Sequence, residues 1–308
     1  MRWVLSFAIV IAIIAPAWGQ GIVLRPTFVM DQTVRYELSA ELRTTVGDKP
    51  SQVLSQKARI RATPVRHAEG GAVVLRLAFA SIEAVRGGET AERIVWREGE
   101  GLANAEGGDE PTPFARVVAA LGDTPLELEI AMTGEIREVR GLGRLVVDAR
   151  RFGEPTLLES LGALSPTALE ETLGLLWTID VDSPPSGRVI GDSWTRKRAI
   201  DFGGGWRAGV DTRLSLTSVD VATAVIEGNP RTEVRPPDRE LLPAEPRVEV
   251  DGESGHTRVM WDVKMGQVIE REDDRTAVWR VVVDGGLLRS EARVESRTRW
   301  RHISEEIP

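Results

Sequence analysis

Over residues 33–43, TVRYELSAELR, the apolar Val34, Tyr36, Leu38, Ala40 and Leu42 alternate with Arg35, Glu37, Ser39, Glu41 and Arg43. A period of two is the signature of a strand with one buried face. The same alternation runs through Val73, Leu75, Leu77 and Phe79, through Leu126, Leu128, Ile130 and Met132, and through Val210, Thr212, Leu214 and Leu216. Near the C-terminus, TRVMWDVKM, TAVWRVVVD and LLRSEARVESRTRWR are set apart by EREDDR and DGG, which predicts a three-stranded antiparallel meander. In its last strand Ala292, Val294, Ser296, Thr298 and Trp300 form one face, and Glu291, Arg293, Glu295, Arg297, Arg299 and Arg301 the other. Mixed signs on that second face suit a solvated surface that resists edge association; a ligand-binding ladder is the alternative.

Between the β-rich stretches the period changes. FARVVAAL (114–121) and RLVVDARRF (144–152) predict short helices. SPTALEETLGLLW adds a third, with Ser165 as N-cap, Pro166 at the first helical position, and Leu169, Leu173 and Leu176 on one face up to Trp177. These apolar stripes either cap the end or face of a sheet, or close a lipophilic cavity lined by Leu169, Leu173, Leu176 and Trp177. The expected fold class is α+β, predominantly antiparallel, with two related β-rich halves flanking a short helical segment. The expected division is a signal peptide at 1–19, an N-terminal β-rich half at 20–142, a helical connection at 143–187 and a C-terminal β-rich half at 188–308. Two stretches predict exposed connections: the Gly-rich, acidic 99–113, and 228–247 with its five prolines.

The suggestion that the halves are related rests on MTGEIREV (132–139) and KMGQVIER (264–271). Aligning Gly134 with Gly266 sets Ile136 against Val268, and glycine suits a tight hairpin that needs positive φ. The strands before the glycines are out of step: Ile130 and Met132 fall at even offsets, Trp261, Val263 and Met265 at odd ones. A one-residue slip reverses a strand's faces, so the match requires a bulge or a different turn length in one copy.

The first residues change the picture of where the chain goes. Arg2 precedes an apolar run from Trp3 to Ala15, and Ala17 and Gly19 supply small residues at the minus three and minus one positions of a cleavage site. This predicts export and a mature chain beginning at Gln20, in the periplasm or outside the cell, with no stable membrane span after cleavage. No Cys follows the run, so a lipidated N-terminus is excluded. Cleavage removes one Arg and takes the formal charge from −8 to −9. That balance argues against nucleic acid and anionic head groups as partners. Zero Cys rules out disulfides, thiolate nucleophiles and Cys-ligated metals, leaving burial to hold the fold.

Candidate chemistry is sparse. His67, His256 and His302 have no second ligand at helical or hairpin spacing, so no His-based metal site is expected. DGESGH (251–256) brings Glu253, Ser254 and His256 together but is no nucleophile elbow, and a polar turn before Thr257 accounts for it. IDFGGGW (200–206) has neither the Lys nor the strand-to-helix context of a phosphate loop and predicts a hairpin turn. REDDR (271–275), and Asp180 with Asp182, lack the ligand count of a calcium loop and suit solvated turns. No catalytic residue, cofactor or metal is assigned. Trp96, Trp194, Trp206, Trp261, Trp279 and Trp300 fall in or beside predicted strands, where core is the expected role and an exposed stacking platform the alternative.

The signal peptide, LELEIAMTGEIREVRG, VIGDSW (189–194) and RVMWDVKMGQVIE together resemble a broad group of exported bacterial proteins of unknown function that share G-D-x-W and x-x-G-x-[IV] phrases. The resemblance implies an exported, β-rich protein without an assigned activity. In architecture alone the chain is also similar to periplasmic lipoprotein and lipid carriers, in which a curved antiparallel sheet plugged by helices holds an acyl chain. The leading expectation is a non-enzymatic envelope protein that binds a lipid or other apolar ligand, or another envelope protein. A hydrolase with carboxylates assembled from distant positions and a purely structural envelope module are the competing readings.

Overall fold

The computed structural model describes residues 21–87, 91–103, 111–141, 173–180, 182–203, 206–235, 246–283 and 289–303. In chain order the elements are β1 (Val34–Val46), β2 (Gln52–His67), β3 (Val73–Gly87), β4 (Ala91–Arg97), β5 (Gly101–Ala103), α1 (Pro113–Asp123), β6 (Leu126–Ile130), β7 (Ile136–Arg140), β8 (Ser193–Gly203), β9 (Trp206–Val219), β10 (Thr223–Arg235), β11 (Pro246–Asp262), β12 (Gln267–Val283) and β13 (Arg289–His302). Every strand pairing is antiparallel, and all strands belong to one sheet in the order β5-β4-β3-β2-β1-β13-β12-β11-β10-β9-β8. The β6–β7 hairpin branches off β3, whose far edge is shared between β6 at Val73–Leu77 and β4 at Ser81–Gly87. The first and last strands meet in the middle, so the stretches before and after the central segment form one open, curved surface.

Because partners directly opposite in an antiparallel ladder share a face, the register identifies what lies inside. One row crosses nine strands: Trp96, Ile82, Ala58, Leu38, Trp300, Arg271, Val259, Ile226 and Leu216. All nine are buried, and only Arg271 is charged. The outer face carries the alternating charges expected from the sequence, joined across strands by pairs such as Arg299 with Glu270 and Glu272, Arg297 with Asp274 and Arg59 with Glu37.

Helix α1 occupies the position predicted for 114–121. Thr112 caps it by accepting from the Ala115 amide (3.1 Å), Pro113 opens it, and Phe114, Ala115, Val117, Val118 and Leu121 are buried. Gly122 lets the helix lie against the Trp96 ring, which a Cβ there would meet at 2.3 Å, and the Trp96 indole donates to Asp123 (3.2 Å). Residues 173–177 form a helical turn. The helix expected at 144–152, the start of the one at 165–177, and Leu169 lie outside the described residues.

Three expectations about turns are corrected. EREDDR is not a turn: Glu270–Arg275 lies inside β12, and the chain reverses at 263–266. Alternation explains the misreading, since three of its charges point outward and three inward. DGESGH is likewise strand, within β11, with a bulge at Asp251 and Gly252 where Gly252 takes φ +130°. The connection expected at 228–247 is shorter, because β10 extends to Arg235 and β11 starts at Pro246. Proline fits inside β10 because the β10–β11 ladder stops at Gly228 and Thr257, just before Pro230, while pairing with β9 continues. β8 and β9 pair as far as Gly203 and Trp206, on either side of the hairpin expected at Gly203–Gly205, while Gly204 and Gly205 lie outside the described residues.

Gly134 and Gly266 both have positive φ, +87° and +60°. Each is followed three residues on by an unpaired bulge residue, Arg137 and Ile269, since Glu129 and Ile130 face Glu138 and Ile136, and Met260 and Trp261 face Glu270 and Val268. The mismatch before the glycines is one of turn length, as Ile130 pairs six residues on and Trp261 seven. Met132, expected to continue the buried face of β6, instead stands at the hairpin tip, 60% exposed.

Candidate apolar-ligand site

Residues 173–180 lie across the inner face near the end where β6–β7, β9–β10 and β11–β12 turn. Three polar contacts fix them. The Thr178 hydroxyl donates to the Gly134 carbonyl (2.7 Å), the Trp194 indole donates to the Ile179 carbonyl (3.0 Å), and Arg271 Nη1 donates to the Leu175 carbonyl (3.1 Å). Gly134 allows this close approach: a Cβ there would stand 2.1 Å from the Trp177 carbonyl oxygen. Leu173, Leu176 and Trp177, selected from the helical spacing, are all buried in the main core cluster. Trp177 meets Tyr36 edge-to-face, with ring centroids 6.3 Å apart. Burial pushes the Tyr36 phenol upward, so the ring stays neutral against Trp177.

Trp177 and Tyr36, both buried, also line a cavity of about 130 Å³, together with Phe28, Gly266 and the exposed Val29 and Met265. Of the predicted lining residues, Trp177 borders this cavity, while Leu173 and Leu176 support it from within the packed core. The N-terminal residues that cover it were not legible as site residues. Their place follows from long-range backbone bonds, Thr27 N–H to the Gly266 carbonyl (3.0 Å) and Asp31 N–H to the Pro64 carbonyl (2.9 Å).

Arg271 of β12 is buried at 2% exposure. Asp273, two residues along the same face, takes two of its bonds: Nε to Oδ2 at 2.6 Å and Nη2 to Oδ1 at 3.0 Å. The Thr257 hydroxyl also donates to Asp273 (2.7 Å). A buried charge needs a partner and filled hydrogen bonds, and this network supplies both while binding the 173–177 turn to the sheet. Further along, where β10 and β11 part, Glu253 takes the place of a backbone ladder. It accepts from the Thr232 amide and hydroxyl (hydroxyl 2.7 Å) and from Arg275 Nε (2.6 Å). Asp180, expected in a solvated turn, is buried and bound by Arg188 through Nε (2.8 Å) and Nη2 (3.3 Å). Its burial comes from the return of residues 182–188 onto the N-terminal segment, where Arg25 donates to the Ser183 carbonyl (3.1 Å).

Asp180, Asp273 and Glu253 are thus each held by an arginine. Among the described residues no group of three or more His, Cys, Asp or Glu side chains could hold a metal ion. Trp96, Trp261 and Trp300 are core, as their strand positions predicted, and Trp177 is buried as well.

No family model matches the chain, and no curated protein does. Among solved structures, one of lipovitellin, described for its lipid–protein interactions, aligns at a TM-score of 0.50 with 8% identity, covering 92% of this chain and 26% of that one. This chain therefore spans about a quarter of that protein's length, and at this identity the likeness is one of fold alone. Structures of an OccD1 (OprD) variant and of OccK5 (OpdH) from Pseudomonas aeruginosa align at TM-scores of 0.23 and 0.21, with 8% and 5% identity, over 92% and 90% of this chain and 99% and 100% of those chains. Values that low carry no argument. No helix among the described residues is long and apolar enough to cross a membrane.

Proposed function

We propose that this is an exported, periplasmic or extracellular envelope protein that binds an apolar ligand in the cavity under Trp177. The observation that carries this reading is the cavity of about 130 Å³, lined by Phe28, Tyr36 and Trp177 and by the exposed Val29 and Met265. It is smaller than the roughly 300–1,000 Å³ typical of drug-sized ligands. It is close to the roughly 150 Å³ of an apolar cavity able to take up a benzene molecule. The ligand class it suits is therefore a single ring or the end of an acyl chain, with the rest of the molecule outside the wall. The sheet's likeness to lipovitellin, a protein described for its lipid interactions, is compatible with this reading. Export rests on the N-terminal sequence alone. A hydrolase receives no support from Asp180, Asp273 or Glu253, each of which is bound to an arginine.

Native mass spectrometry of the chain from Gln20, purified from the periplasm of an expression host and followed by lipid extraction, tests the proposal. A bound apolar species released on denaturation is the expected result. A clean apo mass, with no gain after incubation with lipid extract, would overturn it and leave partner binding or a structural role.

A further inference from the structure

The turns at one end of the sheet form a common rim. The β9–β10 and β11–β12 turns touch directly, Val263 N–H donating to the Ala222 carbonyl (2.9 Å). Thr27 binds Gly266, and Ile22 exchanges two backbone bonds with Arg188 (2.7 and 2.8 Å), which brings the N-terminal segment and residues 188–192 to the same end. The β6–β7 tip joins them through Gly134, whose added Cβ would lie 3.2 Å from the Pro26 ring. Among the described residues, every exposed large hydrophobic side chain except Val46 sits on this rim. Val221 is 84% exposed, Ile190 59% and Met132 60%. Scattered single apolar residues on a surface are ordinary; their concentration on the separate turns of one edge is not.

Three of these tips share a construction. The Asp220 carboxylate accepts from the Val221 amide (2.6 Å), Asp262 from the Lys264 and Met265 amides (both 2.8 Å), and Asp192 from the Val189 amide (3.0 Å). At each of these three tips one apolar residue, Val221, Met265 or Val189, thus has its backbone N–H satisfied within the turn. It can leave water without stranding a donor, which is the main cost of moving backbone into an apolar phase.

We propose that this rim docks onto the surface of a neutral lipid layer, with Val29, Met132, Ile190, Val221 and Met265 entering the boundary between head groups and acyl chains. One or two apolar residues per turn, with carboxylates between them, do not make the continuous apolar centre of a protein interface. A fluid phase can accept them singly. The carboxylates, in a chain of net charge −8, disfavour anionic head groups, so attraction comes from apolar burial. Val29 and Met265 of this rim also line the cavity, although docking does not require the cavity to be filled.

Flotation of the chain from Gln20 with phosphatidylcholine vesicles tests this. That chain contains every described residue and lacks the apolar run at 3–15, which binds lipid on its own account. Co-flotation that persists at high salt is expected, with a loss of roughly tenfold per tip in Val221→Asp and Met265→Asp, and no change in Val46→Asp at the opposite end. Thermal unfolding of the same variants confirms an intact fold. Absence of flotation overturns the proposal, as does flotation that ignores the tip substitutions or that requires phosphatidylglycerol and disappears in salt. A protein that floats but shows no bound species in native mass spectrometry upholds the rim and overturns the cavity reading.

Discussion

In Glu270–Arg275 of β12, neighbouring residues of one hexapeptide have opposite surroundings. Glu270, Glu272 and Asp274 project to the outer face, where Arg297 and Arg299 pair with them directly from β13 at a solvent-exposed surface. Arg271, Asp273 and Arg275 project inward, to the Leu175 carbonyl, to Thr257 and to Glu253. Exposed pairs gain little because solvent screens them and side-chain entropy opposes them. Inward pairs have given up their hydration, so each depends on its partner being present. The same residue types therefore ornament one face and hold the other together.

The strongest way to break that contrast is Arg271→Ala. It removes the charge partner of Asp273 and the donor to the Leu175 carbonyl, and a loss of about 3–5 kcal/mol is expected in denaturant unfolding at neutral pH, typical of removing one member of a buried pair. A loss near zero would mean that water reaches Asp273. Glu253→Gln should follow, at about 1–3 kcal/mol, because Arg275 and Thr232 keep a neutral acceptor but lose the charge-assisted bonds; hydrogen exchange should also quicken at Thr232, whose amide has no other acceptor across the β10–β11 split. Arg299→Ala on the outer face should leave the unfolding midpoint within replicate scatter, and a large shift there would show the outer ladder to be a structural network. The smallest effect is expected at His302, which lies inside beside the Tyr36 ring, with centroids 5.9 Å apart. Burial lowers its pKa, against a smaller opposing pull from Asp262. The neutral form then favours the fold: its contribution is fully present above the ordinary value of about 6.5 and is lost as pH falls from there towards the lowered value. Between about pH 7 and 5, His302→Gln should show a shallower fall in midpoint than the parent chain, and parallel curves would show the imidazole to be solvated.

Much of the sheet was legible because alternation is local. Val210, Thr212, Leu214 and Leu216 face inward as their spacing required, and so do Leu126, Leu128 and Ile130. Features that depend on a neighbouring strand were not. EREDDR resembled a turn because six charges in six residues look solvated, and only the register reveals that alternate side chains find partners on opposite sides. The proline of GNPRTEVR suggested a loop, whereas β10 continues there in its ladder with β9, the ladder with β11 having ended at Gly228. For the candidate site, helical spacing pointed to Leu173, Leu176 and Trp177. Arg271 gave no such signal, and neither did the rim, whose apolar tips come from turns far apart in sequence.

The pairing of β1 with β13 also bears on how the chain reaches this state. Eleven register pairs, Tyr36–His302 to Val46–Ala292, form a seam in the middle of the sheet between segments about 250 residues apart. Synthesis from the N-terminus delivers β1 long before its second partner, so that edge stays open until β13 arrives. Closure over such a separation is slow, and refolding should be limited by this seam rather than by the local hairpins. During that interval the open edge of β1 presents Tyr36 and Leu38 without their β13 neighbours, which makes it the point at which the unfinished chain is most exposed to misassociation.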